Sequence, residues 1–173
     1  MENLDTKPKN IIITLVNEQD EICGYEEKMK VHEKGLLHRA FSVLIFNQKG
    51  EMLIHQRAFS KYHSPGLWTN ACCGHPNEGE SNHDAAYRRL GEEMGFQTEL
   101  SYQFTFHYRA EFTNGLIENE IDHVYFGEFD GSFVVNPEEV ADFKWLSLSE
   151  IRKQMEESSE KFTVWFKEIV KRL

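Results

Sequence analysis

The stretch GHPNEGESNHDAAYRRLGEEMG, residues 74–95, decides the fold of this chain. Its first part is rich in Gly, Pro and Asn, which is typical of a loop, and Ser81 or Asn82 can cap a following helix. Gly95 is a typical residue for the end of that helix. Between the two ends an apolar stripe repeats every four residues, at Ala86, Leu90 and Met94. The stretch therefore predicts a loop followed by a helix that packs on a core.

Runs of β-branched and apolar residues lie on both sides of this stretch. They predict strands at residues 11–16, 22–27, 38–46, 52–57, 99–109, 121–129 and 142–146. A hairpin turn at residues 47–50 joins two of them, and residues 59–80 read as a long loop. Two C-terminal helices are predicted at residues 148–157, capped by Ser147 or Ser149, and at 162–172. This order predicts an α/β (α+β) fold, a mixed sheet in an α/β/α sandwich.

Length and composition indicate one domain over residues 1–173, in which we expect residues 1–10 to be flexible. The net charge of -10 disfavours nucleic acid and anionic membranes as partners. Three cysteines, Cys23, Cys72 and Cys73, do not make a disulfide framework, which is typical of a reducing cytoplasm. No apolar run approaches the ~20 residues of a membrane helix. We expect a cytoplasmic monomer or weak homodimer.

Six residues of the opening stretch have the spacing Gly-x5-Glu-x7-Arg-x3-Glu-Glu-x-Gly, namely Gly74, Glu80, Arg88, Glu92, Glu93 and Gly95. This spacing resembles the Nudix box, here residues 74–96, whose carboxylates hold a divalent metal against a diphosphate. Mg²⁺ suits such oxygen ligands and commonly bridges to phosphate. Typical Nudix hydrolases carry Glu after the motif arginine, whereas this chain has Arg89. The replacement favours a diphosphate that is held intact rather than hydrolysed.

Further matches spread over most of the chain resemble the type 1 isopentenyl diphosphate isomerases. They include His38-Arg-Ala-Phe, Trp68-Thr-Asn, Cys73-Gly-His-Pro and Glu118-Asn-Glu. The resemblance implies interconversion of isopentenyl diphosphate and dimethylallyl diphosphate in isoprenoid biosynthesis. That reaction adds a proton to a terminal alkene carbon and removes one from the carbon two positions away. It requires an acid, a base on the opposite face and exclusion of water.

The same resemblance implies roles for individual residues. Cys73 and Glu118 exchange protons with the substrate, and Tyr108 assists Glu118. Divalent Mn²⁺ or Zn²⁺ is held by three imidazoles and two carboxylates: His32, His38, His75, Glu118 and Glu120. Glu93 holds a Mg²⁺ that arrives with the substrate diphosphate. Because imidazole with carboxylate suits Zn²⁺ or Mn²⁺, the donor set fits either ion.

Two phosphates need cations, and the candidates are Lys28, Arg57, Lys61 and Arg89. Arg binds phosphate through strong, directional hydrogen bonds. Trp165 can place its indole face over the cationic carbon of the transition state. The remaining imidazoles are expected to be surface or hydrogen-bonded residues: His55, His63, His83, His107 and His123.

Two other functions remain open at the level of sequence. The first alternative is a Nudix pyrophosphohydrolase that acts on a nucleoside or isoprenoid diphosphate. The second is a catalytically silent domain that binds a metal or a nucleotide. Arg89, Cys73 and the Glu118-Asn-Glu segment argue against the hydrolase, and the full set of acid–base and metal groups argues against the silent domain.

Overall fold

The computed structural model describes residues 11–173, so the expected flexibility of residues 1–10 lies outside the described range. Nine strands of that range form one sheet. They are β1 (Ile12–Val16), β2 (Ile22–Glu27), β3 (His38–Phe46), β4 (Met52–Arg57), β5 (Trp68–Thr69), β6 (Cys72–Gly74), β7 (Ser101–Glu111), β8 (Ile117–Glu128) and β9 (Val140–Leu146).

Strand β3 is the centre of the sheet. The order from one edge is β2-β1-β3-β4-β5, while β6 and β8 also pair with β3, β7 pairs with β8 and β9 pairs with β4. The β3–β8 pair is parallel, and the other strand pairs within the described residues are antiparallel. The sheet is therefore mixed, as the sequence predicts.

Helices cover both faces of this sheet. They are α1 (Lys28–Lys34), α2 (Asn82–Met94), α3 (Leu148–Glu157) and α4 (Val164–Val170). Side chains alternate along β3, so Phe41 and Val43 pack with α2 in one core, whereas Leu44 packs with α3 and α4 in a second. This arrangement confirms the α+β class and the helix–sheet–helix layering. No helix within residues 11–173 is long and apolar enough to cross a membrane.

Local signals fix both ends of α2. The Ser81 hydroxyl accepts a hydrogen bond from the Asp84 amide at 3.1 Å, so Ser81 rather than Asn82 is the cap. At the other end Gly95 has a φ of 78°, and a Cβ there would clash with the Val134 carbonyl oxygen. Helix α3 begins after Ser147, which forms a capping box with Glu150.

Several elements differ from the sequence expectations. Helix α1 was not predicted, because seven residues that directly continue β2 give no clear helical periodicity. Strands β5 and β6 lie inside the predicted loop 59–80, where pairing with distant β4 and β3 defines them. Strand β8 begins at Ile117 rather than residue 121. Helix α4 begins at Val164 rather than residue 162, because Thr163 is extended and caps it.

Candidate active site

The parallel pair β3–β8 and the short strand β6 bring the main polar residues together. His38 of β3 is the register partner of Glu120 of β8. On the other side of β3, Cys73 of β6 is opposite Ser42. Because alternate residues of a strand share a face, Glu118 and Glu120 both point to the same side of β8. Main-chain pairing therefore sets the relative positions of imidazole, carboxylate and thiol.

Four side chains, from α1, β3, β8 and the loop that follows β6, form a cluster that could hold a metal ion. The ligand atoms of His32, His38, His75 and Glu118 all lie within 4.8 Å of one another. Glu120 joins them, since its Oε2 is 3.1 Å from Nε2 of both His38 and His75. The structure thus brings together the five residues that the resemblance implies as ligands.

The second nitrogens of these imidazoles indicate what the cluster holds. Nδ1 of His32 is 2.6 Å from the Lys28 carbonyl oxygen, and Nδ1 of His38 is 2.9 Å from that of Leu36. A carbonyl only accepts, so each neutral ring keeps its proton on Nδ1 and turns the lone pair of Nε2 towards the carboxylates. Oε2 of Glu118 is buried without a hydrogen-bond partner among the described residues. Lone pairs facing carboxylate oxygens call for a cation between them, and the donor set fits a divalent ion.

Without a metal, a proton on His38 can supply this positive charge instead, as the pKa of His38 indicates. Burial by itself lowers it, but hydrogen bonds and charge from Glu118 and Glu120 raise the pKa to about 10. The two carboxylates therefore draw positive charge into a buried site. The pKa of Glu118 lies well below its usual range: burial opposes this shift, but the charge and hydrogen bond of His32 outweigh it.

Glu118 and Glu120 have different partners. Oε1 of Glu118 is 2.5 Å from Nε2 of His32 and 3.2 Å from Nε2 of His63. Oε1 of Glu120 instead accepts a hydrogen bond from the Tyr108 hydroxyl. The expectation that Tyr108 assists Glu118 is corrected here: in β7, Tyr108 is directly opposite Glu120, so its hydroxyl reaches that carboxylate.

Cys73 lines the same cavity, half-buried and free of any disulfide. Burial raises the pKa of its thiol to about 12, opposed by Arg57 and supported by Glu93 and Glu120. The thiol therefore carries its proton at neutral pH and can donate it.

Nearby, the Ser42 hydroxyl donates to Oδ2 of Asp122 at 2.7 Å. Asp122 was not predicted from the sequence, although its i+2 spacing from Glu120 places it on the same strand face.

A cavity of about 430 Å³ opens in front of these groups. Every residue that the resemblance implies for substrate binding lines it: Lys28, Arg57, Lys61, Arg89 and Trp165. Burial, followed by the charge of Lys61, lowers the pKa of Lys28 to about 8. Nη2 of Arg89 is 2.6 Å from Oε1 of Glu93, as expected for residues four apart on a helix. Glu93, the predicted Mg²⁺ ligand, also lines the cavity.

Two further lining residues were not found from the sequence. Glu139, which precedes β9, pairs with Nζ of Lys61 at 2.6 Å and with Nη2 of Arg89 at 3.4 Å. No local signal marks it, since its partners lie in distant segments. His63 was expected to be a surface or hydrogen-bonded residue; it is hydrogen-bonded to Ser64, but it is also buried beside Glu118 and lines the cavity. The only sequence signal that could have identified His63 was its position in the long loop, two residues after Lys61.

Arg57 lies deeper in the protein than a residue that only binds phosphate would need to. Its Nη2 donates to the His63 carbonyl oxygen at 3.1 Å. Its guanidinium carbon lies 5.3 Å from the ring centroid of Trp165. The Arg57 guanidinium therefore faces this indole ring in a cation–π contact.

Comparison with known proteins identifies the family. A family model described as NUDIX domain matches residues 36–166. The chain is 48% identical over 159 residues to Isopentenyl-diphosphate Delta-isomerase 2 of Photorhabdus laumondii, covering 92% of this chain and 90% of that protein. It is 50% identical over 162 residues to Isopentenyl-diphosphate Delta-isomerase of Serratia proteamaculans, covering 94% and 90% respectively. The chain belongs to the isopentenyl-diphosphate Delta-isomerases of the Nudix superfamily.

Solved structures agree on the fold of this isomerase family. The crystal structure of DR0079 from Deinococcus radiodurans matches with a TM-score of 0.77 at 20% identity, covering 93% of this chain and 98% of that one. MutT protein from Methanosarcina mazei matches with a TM-score of 0.64 at 22% identity, covering 79% and 91%. At these identities the likeness shows the Nudix fold alone. The predicted family and enzyme class, an isomerase, are confirmed by the closer sequence relatives.

Proposed function

We propose that the chain interconverts isopentenyl diphosphate and dimethylallyl diphosphate by protonation and deprotonation at two carbons. The observation that carries this proposal is a single cavity lined by a protonated thiol, a carboxylate paired with tyrosine, and several cations. The first two groups can move protons, and the cations can hold a diphosphate. The activity follows the names of the relatives at 48% and 50% identity.

Cys73 and Glu120 form the acid–base pair in this proposal. The family resemblance implies Glu118 as the carboxylate that exchanges protons, but the contacts favour its neighbour Glu120. Glu120 receives the Tyr108 hydroxyl and is among the charges that act on the Cys73 thiol. Glu118 is enclosed by imidazoles on both of its oxygens, at 2.5 to 3.9 Å. A carboxylate surrounded in this way is suited to bind a metal and poorly placed to collect a proton from carbon.

The proton path follows from these positions. The thiol of Cys73 donates its proton to the terminal alkene carbon, and the new charge develops on the adjacent tertiary carbon. Glu120 then removes a proton from the carbon on the other side of that charge, with Tyr108 holding the carboxylate in place. In the reverse reaction the two residues exchange roles. Deprotonated Cys73 would have Arg57 among the charges around it, which favours the thiolate.

The cluster of three imidazoles would hold Mn²⁺ or Zn²⁺, with Glu118 and Glu120 completing the donor set. A divalent ion bound there offsets the charge of the two carboxylates and lowers their basicity. Glu93, next to Arg89 in the cavity, would hold a Mg²⁺ that arrives with the diphosphate. The identity of each ion is part of the proposal.

Four cations would bind the diphosphate. Lys28 enters from α1, Arg57 from β4, Lys61 from the following loop and Arg89 from α2. Lys61 and Arg89 share Glu139, which holds both cations at the cavity before substrate enters. Arg89 stands where the hydrolase pattern has a glutamate, so it adds to phosphate binding instead of activating water.

Trp165 is proposed to face the cationic carbon of the transition state. Its ring is buried, lines the cavity and packs at right angles to His63, with centroids 5.7 Å apart. Since indole is the best of the aromatic faces for a cation, Trp165 can stabilise the developing charge by ~2 kcal/mol in a desolvated site.

We further propose that the protein works in the cytoplasm as a monomer or weak homodimer on a small isoprenoid diphosphate. The supports are the net charge of -10, which disfavours nucleic acid and anionic membranes, and a catalytic thiol that must stay reduced.

Incubation with isopentenyl diphosphate and Mg²⁺ in D₂O, followed by NMR, tests the function directly. We expect dimethylallyl diphosphate that carries deuterium in a methyl group, because the added proton comes from an exchangeable thiol. Isopentenyl monophosphate with inorganic phosphate would contradict the isomerase and place the chain with the pyrophosphohydrolases. An unchanged substrate, in a sample that contains bound metal, would contradict the proposed substrate.

A further inference from the structure

His63 lies in the loop between β4 and β5, and its ring lies next to the metal-binding cluster. The side chain is 6% exposed, and its Nε2 is 3.2 Å from Oε1 of Glu118. The ring stacks on Phe112, with centroids 4.9 Å apart and planes 5° from parallel. Trp165 contacts it edge-on, and Arg57 binds its main-chain carbonyl. Packing therefore fixes this imidazole against one carboxylate oxygen.

On each nearby imidazole, the hydrogen-bond partner of Nδ1 decides which of the two ring nitrogens carries the proton. Two imidazoles, His32 and His63, approach the same oxygen of Glu118. Neutral His32 has its proton on Nδ1, bonded to a main-chain carbonyl, so its Nε2 has a free lone pair. Nδ1 of His63 instead lies 3.3 Å from the hydroxyl of Ser64, which can donate to it. In that arrangement Nε2 of His63 keeps the proton and can donate to the carboxylate.

We propose that His63 is a positioning residue that acts through Glu118. Its Nε2–H holds Oε1 of the carboxylate, so that Oε2 stays turned towards the metal-binding imidazoles. Oε2 is 3.5 Å from Nε2 of His38 and 3.9 Å from that of His75, without a hydrogen-bond partner among residues 11–173. Groups behind a metal ligand orient it and tune the site in this way. The inference rests on the metal site proposed above.

The same loop links this contact to substrate binding. Lys61, two residues earlier, presents its ammonium to the cavity and pairs with Glu139. Arg57 fixes the loop through the carbonyl of His63 rather than through its ring. A change of the ring can therefore remove the N–H contact to Glu118 while the loop keeps its anchor. This separation allows the positioning role to be tested without moving the diphosphate cations.

The test compares His63→Phe with His63→Gln in the metal-free full chain. Phenylalanine keeps the stacking on Phe112 but has no donor, whereas glutamine loses the stacking and keeps a terminal N–H. The dissociation constant for Mn²⁺ or Zn²⁺ is measured by competition with a chelator. We expect His63→Phe to weaken metal binding by about 10–100-fold, and His63→Gln to recover most of the affinity. The control, His83→Phe, changes an exposed imidazole on α2 and is expected to bind metal like the wild type.

Each other outcome contradicts a stated part of the proposal. Wild-type affinity in His63→Phe would remove His63 from the metal site. Equal weakening in both variants would contradict the N–H donor role, because glutamine keeps a terminal N–H and should then bind metal more tightly than phenylalanine. A wild-type chain that binds neither ion would contradict the metal site and this inference with it. A second readout is KM at saturating metal: a rise of more than about tenfold with unchanged metal affinity would mean that His63 holds the loop rather than Glu118.

Discussion

The Tyr108 hydroxyl donates to Oε1 of Glu120, the residue directly opposite it across the β7–β8 pair. Glu118, two residues earlier on the same face, is met by the imidazoles of His32 and His63 instead. Two carboxylates of one strand thus have different surroundings. We propose from this difference that Glu120 transfers the proton and Glu118 mainly binds the metal, and changing each residue in turn tests this.

Glu120→Gln is expected to lower kcat by about 10²–10⁴-fold at saturating metal, because it removes the proposed base. Glu118→Gln is expected to weaken metal binding first, so that added Mn²⁺ restores part of the activity. Steady-state kinetics with parallel metal analysis separates the two effects. If Glu118→Gln is inactive with metal bound while Glu120→Gln is active, the choice of base made from the sequence is the correct one.

Cys73→Ala is expected to lower kcat by at least about 10²-fold, because it removes the proposed proton donor. The chain is expected to stay folded, because this side chain packs only partly in the core. Loss of deuterium incorporation from D₂O measures the missing step. Cys23→Ala, at an exposed position of β2, is the matched control and is expected to be fully active. Near wild-type turnover of Cys73→Ala would exclude the thiol from the mechanism.

Lys61→Ala is expected to raise KM for isopentenyl diphosphate by about 10–100-fold with a smaller effect on kcat, since a hydrogen bond to a charged group is worth roughly 1.5–3 kcal/mol. The exposed lysine of the β3–β4 turn, Lys49, provides the control Lys49→Ala. Unchanged KM in Lys61→Ala would limit that side chain to its ion pair with Glu139.

Arg88 clamps the loop before α2 through both oxygens of Glu80, at 2.7 and 2.8 Å. The Arg88 hydrogen bond is the largest cause that lowers the pKa of Glu80 below its usual value of 4.5. A lowered pKa stabilises the fold at pH values above 4.5, and this contribution is lost as the pH falls through the lowered value.

Wild type is therefore expected to be more stable than Arg88→Gln by about 1 kcal/mol near neutral pH, and the difference should close in acid. Urea unfolding of both proteins at about pH 7 and about pH 3 measures it. A difference of equal size at both pH values would show that the ion pair contributes nothing to it.

Gly95→Ala is expected to destabilise the chain by about 3 kcal/mol or more, since the left-handed backbone and the Val134 carbonyl both oppose a Cβ. The melting temperature should fall by about 6–12 °C. Gly50→Ala has a similar φ of +75° with nothing within 4 Å of the added Cβ, so it isolates the conformational cost alone. Equal melting temperatures for the two variants would contradict the steric argument.

The sequence was sufficient wherever the signal is local. Helix α2 was predicted from its own apolar repeat, cap and terminal glycine, and the structure begins it after Ser81 and ends it before Gly95. Strands β3 and β4 were predicted with their observed bounds because a tight turn joins two continuous apolar runs. The residues of the Nudix box, and those of the segments that resemble the isomerases, were also identified from the sequence alone.

Long-range pairing accounts for what the sequence did not reveal. The three residues of β6 become a strand only by lying beside β3. Glu139 enters the cavity because β9 pairs with β4, and His63 because its loop folds back over β8. The partner of Tyr108 depended on the register of β7 against β8, which a family resemblance does not specify.

The placement of α1 has a consequence for where the site ends along the chain. The shared domain begins at residue 36, whereas Lys28 and His32 precede it on α1. A chain trimmed to the shared domain would keep the acidic motif, Cys73 and both carboxylates, yet lose one imidazole of the cluster and one cation of the cavity. The N-terminal hairpin and its helix therefore belong to the site as much as the matched domain does, and the pairing of β1 with β3 joins them to the centre of the sheet.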